Sequence, residues 1–263
     1  MGWPYQQKPP MGWPLDYDSG LIPDAGFWPM LEGSGNKVFD LSGNKQNVTL
    51  NGTPVWGAGK YGSVVTFSGD DHGTLTDSAL LKPTQFTIVA GVKYSSFTNQ
   101  PVIFSNNDQA DTGDEGFIFG YQGDPGKLRL YVDNTGGGDW VYAELPSALS
   151  TGVDYQVVGR YDGVNISLYV DGVWKDDTAC ANIHYGATHY PKIGYYSSKI
   201  QANLEYLYFY NRALFAHEIA LLDREPFCMF KDPAEIALLG GYQAVPSGTI
   251  LPLITTAYMR ISA

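Results

Sequence analysis

Hydrolysis of a glycosidic bond needs two carboxyl groups on one surface, and a strand supplies them at alternate positions. The best-placed strand of this chain, residues 203–210, carries a single acid, Glu205. The acid pairs Asp70–Asp71 and Asp176–Asp177 are adjacent, so on a strand their side chains face opposite ways. His72, His184, His189 and His217 are scattered, and no Cys or acid completes a zinc set at the usual spacing. There is no Gly-x-Ser-x-Gly elbow and no phosphate loop. These patterns favour a non-enzymatic protein. For binding, His184, Tyr185, His189 and Tyr190, with Tyr195 and Tyr196, form an aromatic-rich stretch suited to stacking on a glycan. With 19 tyrosines in the chain, a core or interface role for the same rings stays open.

The elements that must position these groups are strands. Asp162-Gly163 and Asp171-Gly172 bracket a segment in which Ile166, Leu168 and Val170 alternate with Asn165, Ser167 and Tyr169. Asp-Gly suits tight hairpin turns because glycine has no Cβ to clash at positive φ. Alternation predicts a half-buried antiparallel strand. Further strands are predicted over 63–67, 86–93, 102–105, 116–121, 127–132, 140–144, 155–161 and 203–210, most of them separated by Gly, Asp or Asn turns. One helix is predicted over 215–223, with Leu214, Ile219, Leu221 and Leu222 as its apolar face. The result is an all-β antiparallel sandwich with one short helix.

Three regions follow. Residues 1–30 read as an extended arm, because six prolines exclude regular sheet or helix. The element Met-Gly-Trp-Pro occurs there twice. Trp3, Trp13, Trp28, Tyr5 and Tyr17 would be its anchoring rings, since interface anchors are enriched in Trp and Tyr. Strapping to a partner, folding back on its own domain and disorder are the alternatives. Residues 31–225 form the body. Residues 226–263 form an apolar tail in which Phe227, Phe230, Ile250 and Leu253 are the packing residues. Its β-prone run 249–258 must cover its own sheet or add a strand to a neighbour.

The formal net charge of −11 argues against nucleic-acid binding, which needs Lys and Arg to neutralise phosphates. No run approaches membrane-spanning length. Two cysteines, Cys180 and Cys228, exclude a disulfide scaffold and favour free thiols, with one bridge as the alternative. The first ten residues have no basic region followed by an apolar one, so no export signal is expected.

The body resembles the laminin-G-like domains of the concanavalin A-like group. The resemblance rests on Leu31-Glu32-Gly33-Ser34-Gly35, Asp40-Leu41-Ser42-Gly43-Asn44, Trp56, residues 62–71, residues 86–93, residues 161–172 and Asn211-Arg212-Ala213-Leu214. It implies a jelly roll. It also implies a calcium site at a loop edge, for which Asp70 and Asp71 match by position and Asp40 with Asn44 is a second cluster. Asp and Asn also close turns without metal. Where such domains place Ser or Thr as helix cap, this chain has Phe215 while keeping Glu218. The incomplete cap would cost roughly 1 kcal/mol unless replaced, and Phe215 would be free to pack on the tail.

Arg224-Glu225-Pro226-Phe227-Cys228-Met229-Phe230 also resembles endings in phage-associated laminin-G-like proteins. The expectation is therefore a structural or decoration protein on a virion surface, assembled in host cytoplasm as a homo-oligomer beside a capsid or tail protein. The alternative is an extracellular lectin or adhesion module that takes cell-surface glycans, with or without calcium.

Overall fold

The computed structural model describes residues 6–98, 101–107, 115–121, 127–186, 191–195, 200–233 and 236. Sixteen strands are present among them: β1 (Gly26–Trp28), β2 (Lys37–Val38), β3 (Val48–Asn51), β4 (Val55–Ala58), β5 (Ser63–Phe67), β6 (His72–Thr74), β7 (Phe86–Tyr94), β8 (Val102–Asn107), β9 (Gly116–Gly120), β10 (Arg129–Asp133), β11 (Trp140–Glu144), β12 (Asp154–Tyr161), β13 (Asn165–Val170), β14 (Val173–Ala179), β15 (Lys192–Ile193) and β16 (Ala202–Tyr210). One α-helix, α1 (Ala216–Arg224), follows. The first sheet runs β14-β13-β12-β7-β16-β5-β4, with β1 also paired to β16; the second runs β11-β10-β9-β8-β15-β6-β3-β2. Every pairing is antiparallel. The predicted all-β jelly-roll sandwich is therefore the fold.

Alternation explains the core. Phe104, Phe117, Phe119, Leu130 and Val132 of the second sheet meet Phe86, Ile88, Leu204, Leu207 and Phe209 of the first. Phe86 lies 4.5 Å from Phe117 and 5.8 Å from Phe209, ring centre to ring centre. Burying side chains of this size stabilises the fold by roughly 1.5–3 kcal/mol each.

A second apolar layer covers the outside of the first sheet. Tyr206, Tyr208 and Tyr210 point outward from β16 and are fully buried, together with Phe27, Ile219, Leu222, Phe227, Met229 and Phe230. Two of these tyrosines find backbone acceptors. Tyr208 Oη donates to Pro226 O at 2.9 Å and Tyr210 Oη to Leu21 O at 2.8 Å. The layer is closed by residues 6–30 and by the segment after α1. Leu15 bridges Phe230, Lys231 N–H donates to Pro14 O, and Lys231 Nζ pairs with Asp16 at 2.8 Å.

The arm thus folds back on its own domain over its described length. Trp28 is corrected outright: its ring is in the main core, stacked on Phe104, with Nε1 donating to Gln46 O at 2.7 Å. It cannot anchor a partner. Gly26 makes room for it, since a Cβ there would lie 2.1 Å from the indole. Trp13 is half-buried against the outer layer, whereas Tyr17 is 80% exposed. Trp3 and Tyr5 lie outside the described residues, as do Ile250 and Leu253. Phe215 does not pack on the described tail. It is exposed and stacks on His217. The missing cap is half replaced: Glu218 accepts from Phe215 N at 2.7 Å and is held by a two-pronged ion pair from Arg212. Cys180 and Cys228 are free thiols.

The arm is fixed by a buried ion cluster. Lys8 donates to Met30 O and Ser63 O and faces Glu205 at 3.9 Å. Burial lowers the Lys8 pKa to about 7, against the attraction of Glu205 and Glu32, and burial raises both carboxyls. The unfolded chain therefore holds a lysine proton that the folded one gives up between about pH 7 and the ordinary lysine value. The Lys8 contribution makes stability rise with pH across that window. Chemical denaturation at pH 7 and pH 10 should show this rise, and Lys8→Met should flatten it. Glu205→Gln, which strips Lys8 of its counter-charge, should lower stability more at pH 6 than at pH 10.

Candidate functional site

The two faces of the sandwich differ in what they leave open. The outer face of the first sheet is consumed by the arm, α1 and residues 227–230. On the second sheet, β10 and β11 present an ordered ladder outward. Their register pairs Arg129 with Glu144, Tyr131 with Tyr142 and Asp133 with Trp140. Leu130, Val132 and Ala143 alternate with these and fill the core. The ladder is thus a direct product of period-2 alternation in two neighbouring strands.

Its rings are close-packed. Tyr131 lies 5.0 Å from Tyr142 and meets Trp140 edge-on at 6.4 Å. Val102 and Ile118 support Tyr131 from the neighbouring strands. The Arg129 guanidinium sits 4.8 Å over the Tyr142 ring and donates to Tyr131 Oη at 2.7 Å. Arg129 is also ion-paired with Glu144, which Lys127 holds at 3.0 Å. Burial pushes the Glu144 carboxyl up, but hydrogen bonds from Lys127 and Arg129 win and hold it below its ordinary value. Tyr142 is 43% exposed and Trp140 half-buried. The result is a rigid aromatic surface with a fixed cation and carboxylate at one end.

At the other end the ladder meets a polar row. Asn107 pairs with Gly116 across β8 and β9, and Val132 pairs with Phe117. The next step of that register places Gly116 beside Asp133, whose partner is Trp140. The β10–β11 loop closes by Asn134 N–H to Asp139 O at 3.0 Å. Gly136, Gly137 and Gly138 take φ of 85°, 80° and 86° there, a conformation that side chains with a Cβ resist. Glu115 Oε1 and His184 Nδ1 flank Gly136, 3.4 Å and 3.6 Å from where a Cβ would stand. Burial raises the Asp133 carboxyl. The Gly136 and Asp139 amides and the His184 charge oppose that rise, and Glu115 adds to it.

The candidate glycan residues divide. His184 is exposed beside this row, with its N–H donating to Asp133 O at 3.0 Å. Tyr185 is half-buried and engaged by the fold: its hydroxyl donates to Pro83 O at 2.9 Å and its ring packs edge-on against Phe117. His189, Tyr190 and Tyr196 lie outside the described residues. Tyr195 packs on His72, under Lys192. Glu205 is buried beneath the arm, where Oε1 accepts from Lys60 N, so it faces no substrate surface. Sequence reasoning missed Trp140, Tyr142, Tyr131 and Arg129 as site residues. The signal was present, since both strands were predicted and both alternate.

Of the two calcium candidates Asp70 and Asp71, the structure engages the second with protein donors. Asp71 is buried, and its carboxylate is filled by protein donors: Thr53 N at 2.6 Å, Ser68 N at 2.9 Å and Ser68 Oγ at 3.2 Å. It clamps two loops. His72 Nδ1 lies 2.9 Å from the backbone oxygen of Asp70. Asp40 is likewise spent on Phe27 N, Ser42 N, Ser42 Oγ and Gln46 N. Among the described residues no group of three His, Cys, Asp or Glu side chains could hold a metal ion, and no helix there is long and apolar enough to cross a membrane.

A family model described as the Concanavalin A-like lectin/glucanases superfamily matches residues 67–220, more than half of the chain. No curated protein matches. Among solved structures, domain 4 of AbnA, a GH43 extracellular arabinanase from Geobacillus stearothermophilus in complex with arabinotriose, superposes with a TM-score of 0.62. It is 19% identical, and the match covers 76% of this chain and 97% of that one. The binding domain of Botulinum Neurotoxin DC, in complex with SialylT, gives 0.59 at 13% identity over 77% of this chain and 51% of that one. The binding domain of Paraclostridial Mosquitocidal Protein 1 gives 0.60 at 13% identity over 76% and 51%. The chain thus spans about half the length of the two toxin domains, and at these identities the likeness is one of fold.

Asp71→Ala should leave two backbone N–H groups without their acceptor and lower stability by about 2 kcal/mol. Thermal unfolding should show the same loss in calcium and in chelator.

Proposed function

Because the chain belongs to the Concanavalin A-like lectin/glucanases superfamily, we propose that it is a non-catalytic carbohydrate-binding module whose β10–β11 ladder receives the sugar. The observation that carries this is the surface pair Trp140 and Tyr142, backed by the buried ring of Tyr131 and a fixed Arg129. Apolar rings with a few convergent polar groups make a binding surface for a ligand that has both C–H faces and hydroxyls. Preorganisation supports the same conclusion, since the guanidinium is already immobilised by Glu144 and Tyr131 and loses little freedom on binding. The arabinanase domain and the toxin binding domain are glycan complexes by their descriptions, which agrees with this function.

Display of such a module on a virion, beside a capsid or tail protein, is the narrower alternative. The Trp–Pro arm no longer supports it between residues 6 and 30, where the arm is engaged with its own sheet. Its remaining basis is the resemblance carried by residues 224–230 and the apolar run 249–258.

Titration calorimetry against a panel of oligosaccharides tests the proposal. The wild-type chain should bind at least one glycan, and Tyr142→Ala or Trp140→Ala should cost roughly 2 kcal/mol of binding, about 30-fold. Tyr142→Ala should still fold, since the residue lies at the surface and is 43% exposed. Silence across a broad panel would end the proposal.

A further inference from the structure

On the side of the sandwich where β11 and β14 are the edge strands, the chain between β11 and β12 stands away from the β13–β14 hairpin. The two leave a cleft of about 290 Å³, lined by Leu145, Leu149, Tyr155, Val170, Asp171 and Lys175 among others. Its walls belong to the main core. Leu145 and Val170 are buried in it, and Leu149 and Tyr155 are half-buried against it. Ser150 N–H donates to Tyr155 Oη at 3.1 Å and ties the loop down. A cavity of about 150 Å³ already takes benzene. This cleft therefore has room for a branched or aromatic side chain, with space at its mouth for a polar head.

The lining also carries one charge of each sign, and the two do not pair with each other. Asp171 sits in the hairpin turn at φ 49°. Its N–H donates to Gln156 O and its Oδ1 accepts from Gln156 N, both at 2.9 Å. The carboxylate is thus held in place with its second oxygen open. Lys175 is the extra residue of a β-bulge: Leu168 pairs with Asp176 and Tyr169 with Trp174, so Lys175 has no cross-strand partner. A bulge on an edge strand re-aims a side chain, and this one brings Lys175 to the same cleft as Val170. Among the described residues Lys175 is half-buried and makes no hydrogen bond or ion pair, whereas every other half-buried Lys or Arg has an ion pair or stands over a ring. The acids next to it in sequence are turned elsewhere. Asp176 accepts from Glu144 N at 3.0 Å, and Asp177 pairs with Ser167, which faces away from the core.

An unpaired cation and a fixed carboxylate beside one apolar cleft are complementary to a ligand that carries both charges next to an apolar group. A simple acid would meet Asp171, and a simple amine would meet Lys175. We propose that this cleft binds a free amino acid with a branched or aromatic side chain. The side chain enters between Leu145, Leu149 and Val170, the carboxylate meets Lys175 and the ammonium meets Asp171. The site lies apart from the aromatic ladder and does not rest on carbohydrate binding.

The test is titration of the full chain, followed by NMR amide correlation spectra, with leucine, phenylalanine, glycine, hydrocinnamate and phenethylamine. Leucine or phenylalanine should shift the amides of residues 145–149 and 170–175 and saturate with a Kd of about 1 mM or tighter. Glycine, which lacks the side chain, and the two singly charged analogues should each bind at least about fivefold more weakly, the worth of one exposed ion pair. Lys175→Met and Asp171→Asn should each weaken leucine or phenylalanine by a similar factor while thermal unfolding stays near that of the wild type. Absence of shifts in these two segments overturns the proposal. So does equal binding of hydrocinnamate or phenethylamine, or indifference to Lys175→Met. If light scattering shows self-association that Lys175→Met abolishes, the cleft is an interface between copies and the proposal falls. Should Asp171→Asn fail to fold, Lys175→Met and the analogue series decide.

Discussion

Strand β16 sets the constraint on which the rest of the structure depends. Leu204, Leu207 and Phe209 face the core, and Tyr206, Tyr208 and Tyr210 face the other way. A register shift between Leu204 and Tyr206 brings Leu204 onto the same face as Leu207 and leaves Glu205 at the irregularity. A strand with two large apolar faces cannot stay at the surface of a two-layer sandwich. It requires a third layer, and the chain supplies one from both flanks: residues 6–30, α1 and residues 227–230. The helix is short and its cap is half made, so its stability comes from Ile219 and Leu222 against these tyrosines more than from its own termini.

Once the first sheet is covered on both faces, the second sheet is the one that presents exposed rings on its outer face. The electrostatics divide in the same way. Lys8 is spent inside the outer layer, while Arg129 and Lys127 stand on the opposite side, where they fix a carboxylate beside exposed rings. In a chain of net charge −11, that placement of two cations is informative, because they stabilise one geometry of the aromatic ladder.

Much of the fold was legible because its long strands alternate cleanly and end at Gly or Asp turns. The predicted strand 86–93 is β7 less one residue, 165–170 is β13, and 140–144 is β11. The two- and three-residue strands β1, β2, β6 and β15 were not legible, since a period cannot show in so short a run. Strand β14 escaped for another reason. Its sequence Val-Trp-Lys-Asp-Asp-Thr-Ala belongs to an exposed edge and carries no apolar alternation. The prolines correctly predict an irregular arm, but composition cannot say which surface Trp28 enters. For the site, alternation puts Trp140 with Tyr142 and Arg129 with Tyr131, yet only the register between strands places the guanidinium over a ring. The acids near residue 70 stayed open to two readings because a carboxylate that closes loops and one that binds calcium use the same residue types. What distinguishes them is whether N–H groups already fill the oxygens, and that is a property of packing.

The pairing of Leu15 with Phe230 gives the molecule a direction. The chain approaching residue 15 and the chain leaving residue 230 lie side by side on the outer flank of the first sheet, with both sheets between them and the aromatic ladder. A neighbour joined through either flank would therefore stand behind the domain, and the ladder would look away from it, as the front of a bracket faces away from its wall.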